Sequence, residues 1–165
     1  MCWRWTARIS GFCSACIAAG SVLAQHEWVA PPRFALAGFS MGGYVAFEIF
    51  RRAPDRVERL ALIDTQATPD TPESTARRLA LLERTNLGRF HGIQHALLPQ
   101  LLHRRAINDA SIVEPMMAMA AEVGVEGFRR EQKAITARAD NRPLLVKIDV
   151  PTVVIVGRQD QVTPL

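Results

Sequence analysis

The sequence predicts an α/β domain built on a mostly parallel sheet. Three observations carry that expectation. Short apolar runs suited to buried strands recur at residues 33–37, 57–63 and 151–156. Helical patterns separate them, in the order strand, sharp turn, helix, strand, helical insertion, strand, which is the alternation that builds parallel sheets. The chain has 165 residues, 48% hydrophobic and 22% charged, enough length and apolar content to bury a core. That composition excludes a disordered tail, a collagen-like repeat and a small disulfide-stapled scaffold.

Residues 1–30 read differently from the rest of the chain. Arg4 and Arg8 precede an apolar, small-residue stretch over 9–24, and Val22-Leu23-Ala24 has the outline of a signal-peptide cleavage site. Ser10, Gly11, Ser14, Gly20 and Ser21 interrupt that stretch, so a helix leading into the first strand, or a segment foreign to the domain, is the competing reading. Cys2, Cys13 and Cys16 all fall here. Cys13 and Cys16 have the C-x-x-C spacing, but no second Cys or His pair completes a zinc site, and the spacing reads as chance. The remaining chain is free of Cys, which fits a reducing, cytoplasmic setting, with secretion through the leader-like segment as the alternative.

Pro31-Pro32 ends that segment, and the first strand comes at 33–37. Gly38-Phe39-Ser40-Met41-Gly42-Gly43 is next, then a mostly buried helix over 44–52 closed by Pro54. The second strand, 57–63, ends at Asp64-Thr65. After a linker over 66–72, Thr71 can cap a helix with Pro72 in its first position and Glu73 in its first turn, running to about Asn86 with Leu79 and Leu82 on one face. A second helical stretch over 91–105 contains Pro99, which should kink or split it. Asp109 caps a third, with Pro115 near its start, and Gly124 and Gly127 punctuate its end before a fourth over 128–138. A short turn or helix over 143–148 leads to the last strand, 151–156, and to Gly157-Arg158-Gln159-Asp160.

The chemistry concentrates in Gly38-Phe39-Ser40-Met41-Gly42, a G-x-S-x-G sequence between a strand and a helix. A sharp turn there holds the Ser in a strained backbone, and glycines two before and two after relieve the crowding. Its hydroxyl is then presented at the carboxyl end of the sheet, and the Met41 amide is free to donate to a developing oxyanion. No Lys comes after it as a phosphate-binding G-x-x-x-x-G-K loop requires.

With those residues, the stretch 33–65 resembles the α/β-hydrolase superfamily, most of all its bacterial esterases, and the tail from Val150 to Leu165 resembles the strand and loop that present the triad acid. The resemblance covers about 31–165 and implies a partial α/β-hydrolase fold with a helical lid over about 66–147. It implies Ser40 as nucleophile, Met41 as one oxyanion amide, Gly38 and Gly42 as the elbow glycines and Asp160 as acid, with Asp64, at the end of the second strand, as the alternative acid. No cofactor or metal is implied. The substrate is a small-molecule ester or acyl compound, and Leu101, Met116, Met117 and Met119 in the lid favour an apolar group.

The triad order in this fold is Ser, acid, His. None of the residues from Gln161 to Leu165 is His; the four are His26, His91, His95 and His103. The latter three read as surface or lid-lining residues, and no Glu joins the His91/His95 pair to form a zinc site. For the second oxyanion amide only Ser10-Gly11-Phe12 offers a weak candidate. The expectation is an incomplete hydrolase, inactive by itself, with a non-catalytic binding module as the alternative and an exposed sheet edge that invites self-association.

Charge adds little. Residues 73–147 carry twelve Arg or Lys against eight acids, a net charge equal to the formal +4 of the whole chain, but intermixed and with no run of five like charges. This is a solvated helical surface, and neither nucleic acid nor membrane is expected as partner.

Overall fold

The computed structural model describes residues 31–87 and 90–164. The leader-like segment, its three Cys and His26 lie outside the described residues.

Among these residues three strands form a parallel sheet in the order β1-β2-β3: β1 is Phe34–Phe39, β2 Val57–Ile63 and β3 Thr152–Ile155. β1 pairs with β2 from Phe34↔Val57 to Phe39↔Ile63, with a register shift after Phe34, and β2 pairs with β3 from Leu60↔Thr152 to Ile63↔Ile155. The pairing ends level at Phe39, Ile63 and Ile155, so all three strands deliver their next residues to one edge of the sheet.

Helix α1, Met41–Arg52, connects β1 to β2 through a 3-10 turn at Pro54–Arg56. Ala46, Phe47 and Phe50 on α1 and Val57, Leu60 and Leu62 on β2, with Leu144, form the buried core. Phe47 and Phe50 are at most 2% exposed, and each such side chain stabilises the fold by roughly 1.5–3 kcal/mol. These contacts clamp the helix to the strands at the turn that holds Ser40.

The helical insertion contains α2 (Pro72–Asn86), α3 (Phe90–Leu101) and α4 (Ala110–Thr136), which pack on one another, then the short α5 (Arg142–Leu145). Thr71 caps α2 by accepting the Ser74 N–H at 3.2 Å, and Asp109 caps α4 by accepting the Ser111 N–H at 3.0 Å. Leu79, expected with Leu82 on one face of α2, is 53% exposed. Pro99 lies in the last turn of α3, and that helix stops two residues later. Gly124 breaks α4 with φ 65° and ψ 177°, whereas Gly127 stays helical and buried. The expected division of this stretch therefore occurs at Gly124, where the backbone enters a region that favours glycine. No described helix is long and apolar enough to cross a membrane.

A buried ion pair closes the insertion on itself, joining Asp70 before α2 to Arg138 after α4. Arg138 pairs with Asp70, both side chains being 3% exposed, and Arg78 reaches the same carboxylate at 2.7 Å. The Arg138 guanidinium also donates to the Thr68 carbonyl at 2.9 Å and stands 4.7 Å over the Tyr44 ring. The last strand departs from expectation in its burial. Val153, Val154 and Ile155 are each at least 50% exposed, because no described element covers either face of β3.

Candidate active site

Ser40 comes directly after β1 and precedes the first residue of α1. Its backbone has φ 51° and ψ −119°, a conformation that costs a non-glycine residue of order 1–3 kcal/mol. The surroundings enforce it. The Ser40 N–H donates to the Ile63 carbonyl at 2.9 Å, and the Ser40 carbonyl accepts both the Gly43 N–H at 2.9 Å and the Thr65 hydroxyl at 2.8 Å. A serine at a helix N-cap ordinarily accepts from the first turn. Ser40 makes no side-chain capping bond, so its hydroxyl is not spent on the helix. Met41, as the first helical residue, has no intrahelical acceptor for its N–H, which lies beside the serine at the positive end of the helix.

The glycines divide unequally. A Cβ on Gly38 would stand 2.5 Å from the Gly42 carbonyl oxygen and 2.7 Å from the Gly43 Cα, all backbone atoms. A Cβ on Gly43 would stand 2.5 Å from the Thr65 Cβ and closer still to its hydroxyl. A Cβ on Gly42 would meet nothing within 4 Å. The crowding expected around Gly38 and Gly42 is thus found at Gly38 and Gly43. The second tight position escapes sequence reading because the clashing partner, Thr65, belongs to the next strand's end.

The two candidate acids meet. Asp64 comes after β2 with φ 40°, and its N–H donates to the Ile155 carbonyl at 2.8 Å. Its Oδ1 accepts the Gly157 N–H at 2.8 Å, which fixes the start of the loop after β3. Asp160 closes that loop by donating its own N–H to the Gly157 carbonyl at 2.9 Å. The Asp160 carboxylate accepts the Val162 N–H at 2.7 Å, the Thr163 N–H at 3.0 Å and the Thr163 hydroxyl at 2.7 Å. Burial opposes its ionisation, but the donors from Thr163 and Val162, with a contribution from Asp64, outweigh burial and hold its pKa below the ordinary carboxylate value. Asp160 is therefore a fixed anion at neutral pH.

Ser40, Asp64 and Asp160 line one cavity of about 860 Å³ together with Phe39, Gly157 and residues 99–104 of the insertion. His103 lines it as well. Its Nδ1 accepts the Arg105 N–H at 3.3 Å. His95 is exposed and does not line the cavity. Leu101 lines the cavity, but Met116, Met117 and Met119 do not. Among the described residues no group of three or more His, Cys, Asp or Glu is arranged to hold a metal ion.

Comparison with known proteins adds to this geometry. The sequence model for the alpha/beta hydrolase fold matches residues 18–165. A pimeloyl-[acyl-carrier protein] methyl ester esterase of Neisseria meningitidis is 32% identical over 89% of this chain and 47% of the relative. The 3-oxoadipate enol-lactonase 2 of Acinetobacter baylyi is 28% identical over 86% of this chain and 52% of its own length. The chain spans about half the length of these curated relatives. Among solved structures, a thermophilic esterase from Thermogutta terrifontis superposes with a TM-score of 0.78 at 31% identity, over 92% of this chain and 56% of that one. The enol-lactonase of Burkholderia xenovorans LB400 gives 0.75 at 27% identity, over 88% and 55%.

Proposed function

The chain belongs to the α/β-hydrolase family, and from that premise we propose that it carries the nucleophile and the acid of a serine ester hydrolase acting on small-molecule carboxylic esters or related acyl compounds. The observation that carries the reading is Ser40 itself: a strained residue between strand and helix, its hydroxyl unused in capping, over a cavity it shares with Asp160. The esterase and enol-lactonase relatives support ester-bond hydrolysis as the reaction class.

In this reading the Ser40 Oγ attacks the ester carbonyl carbon and passes its proton to an imidazole. The carbonyl oxygen becomes an oxyanion that accepts the Met41 N–H, and collapse expels the alcohol, which takes the proton back. Water then attacks the acyl-serine and releases the acid. Asp160, ionised and held by Thr163 and Val162, orients the imidazole and stabilises its charged form. Asp64 holds the loop that carries Asp160 through the Gly157 N–H. The helical segment over 66–147 acts as the lid of the cavity.

The imidazole is the element that Ser40 and Asp160 do not supply. Among the described residues His103 reaches the cavity, and its ring bonds the Arg105 N–H rather than Ser40 or Asp160. With no described imidazole bonded to Ser40 or Asp160, we infer that these residues by themselves turn over esters slowly or not at all. Hydrolysis of p-nitrophenyl butyrate by the purified chain should stay near the buffer rate. A rate well above buffer that disappears in Ser40→Ala would refute the claim about the missing base while supporting Ser40 as nucleophile.

A further inference from the structure

The cavity over Ser40 contains cations that its own acids do not answer. Arg104, from the turn between α3 and α4, and Arg158, from the loop after β3, both line it. Both are exposed, and neither guanidinium is ion-paired or hydrogen-bonded to any described residue. The two carboxylates in the same cavity are engaged elsewhere: Asp160 with Val162 and Thr163, Asp64 with the Gly157 N–H. Arginines in other parts of the chain, among them Arg51, Arg78 and Arg138, do find carboxylate partners. Gln100, Gln159 and Gln161 also line the cavity and carry neutral amide donors.

Two unanswered guanidiniums on separate segments of one cavity suit an anionic group on the ligand. The planar fork of Arg matches a carboxylate with two parallel hydrogen bonds. We propose that the cavity takes esters that also bear a carboxylate, with Arg104 and Arg158 binding the carboxylate while the ester carbonyl lies at Ser40. This rests on the reading of Ser40 as the ester site and adds the substrate class. Of the residues expected to favour an apolar group, Leu101 lines the cavity and Met116, Met117 and Met119 do not.

Monoethyl adipate and diethyl adipate share an ester and a length and differ by one charge. Their binding to the purified chain is measured by amide shift titration in low salt, with the Arg104→Gln/Arg158→Gln double variant alongside. The hemiester should bind about five- to tenfold more tightly. That ratio should fall toward one in the double variant and shrink as salt is added. Diethyl adipate should bind the double variant as it binds the wild type, which also establishes that the variant is folded. Equal affinity of the two ligands for the wild type, or a preference that survives in the double variant, overturns the carboxylate assignment and leaves the ester site standing. Failure of diethyl adipate to shift the Ser40 and Met41 amides overturns the ester site and, with it, this inference.

Discussion

Replacing Gly38 and Gly42 separately by Ala separates two accounts of the turn at Ser40. If the glycines of G-x-S-x-G serve the same steric purpose, both variants should destabilise alike. The structure predicts opposite signs. The new methyl at position 38 falls 2.5 Å from the Gly42 oxygen and 2.7 Å from both the Gly42 carbon and the Gly43 Cα. None of these is the free end of a side chain, so β1 and α1 must move apart, and the core between α1 and β2 resists. Overpacking costs about 1–3 kcal/mol, and a backbone-only clash belongs at the upper end, near ~3 kcal/mol. At position 42 the methyl meets nothing within 4 Å, the residue is helical, and its φ is not positive. Ala there gains up to ~1 kcal/mol of helix propensity. The two variants should therefore differ by roughly 3–4 kcal/mol in urea unfolding, and by on the order of 10 °C in Tm for a domain of this size. Equal destabilisation by both, or a larger loss for Gly42→Ala, would refute the steric account.

Buried and titrating groups give three further expected outcomes. Arg138→Ala leaves Asp70 buried with only Arg78 as charged partner, and should cost about 3 kcal/mol in urea unfolding; a loss below ~1 kcal/mol would contradict the burial of that pair. Asp160 has a folded pKa below its ordinary 3.8, so its stabilising contribution is complete above that value and is lost as pH falls through the folded pKa. Asp160→Asn should accordingly flatten the acid limb of the stability profile, and an unchanged limb would count against the Thr163 and Val162 bonds. Glu131 has the opposite sign. Burial raises its pKa against the smaller lowering effect of Arg130, so its ionised form carries a penalty that appears as pH rises through the folded pKa. Glu131→Gln should stabilise the chain at pH 7 by less than ~1 kcal/mol and make no difference at pH 3, as measured by thermal unfolding at the two pH values.

Much of the fold was legible because it is encoded locally. The run Val57–Ile63 is a strand with the bounds its sequence predicts, and Thr71-Pro72-Glu73 starts α2 where a capping residue, a first-position Pro and an acid coincide. The boundaries of β1 and α1 moved by a few residues because pairing with β2 extends the strand to Phe39 and the helix begins directly after Ser40. Burial was less legible. Thr152–Ile155 reads as a buried strand from its β-branched residues, yet its exposure depends on what lies against it, which composition does not contain.

The sequence by itself determined the α/β alternation, the strand–turn–helix around Ser40, and the two acids that come after strands. Each depends on neighbours in the chain, where periodicity, capping residues and glycine spacing act. Tertiary structure alone decided which groups meet. Parallel pairing of β2 with β3 brings Asp64 to Gly157, 93 residues on, and makes the two acids neighbours. The same packing sets Thr65 against Gly43 and brings His103, Arg104 and Arg158 to the cavity over Ser40. Contacts of that kind arise from register and packing between distant segments, and no local pattern of residue types specifies them.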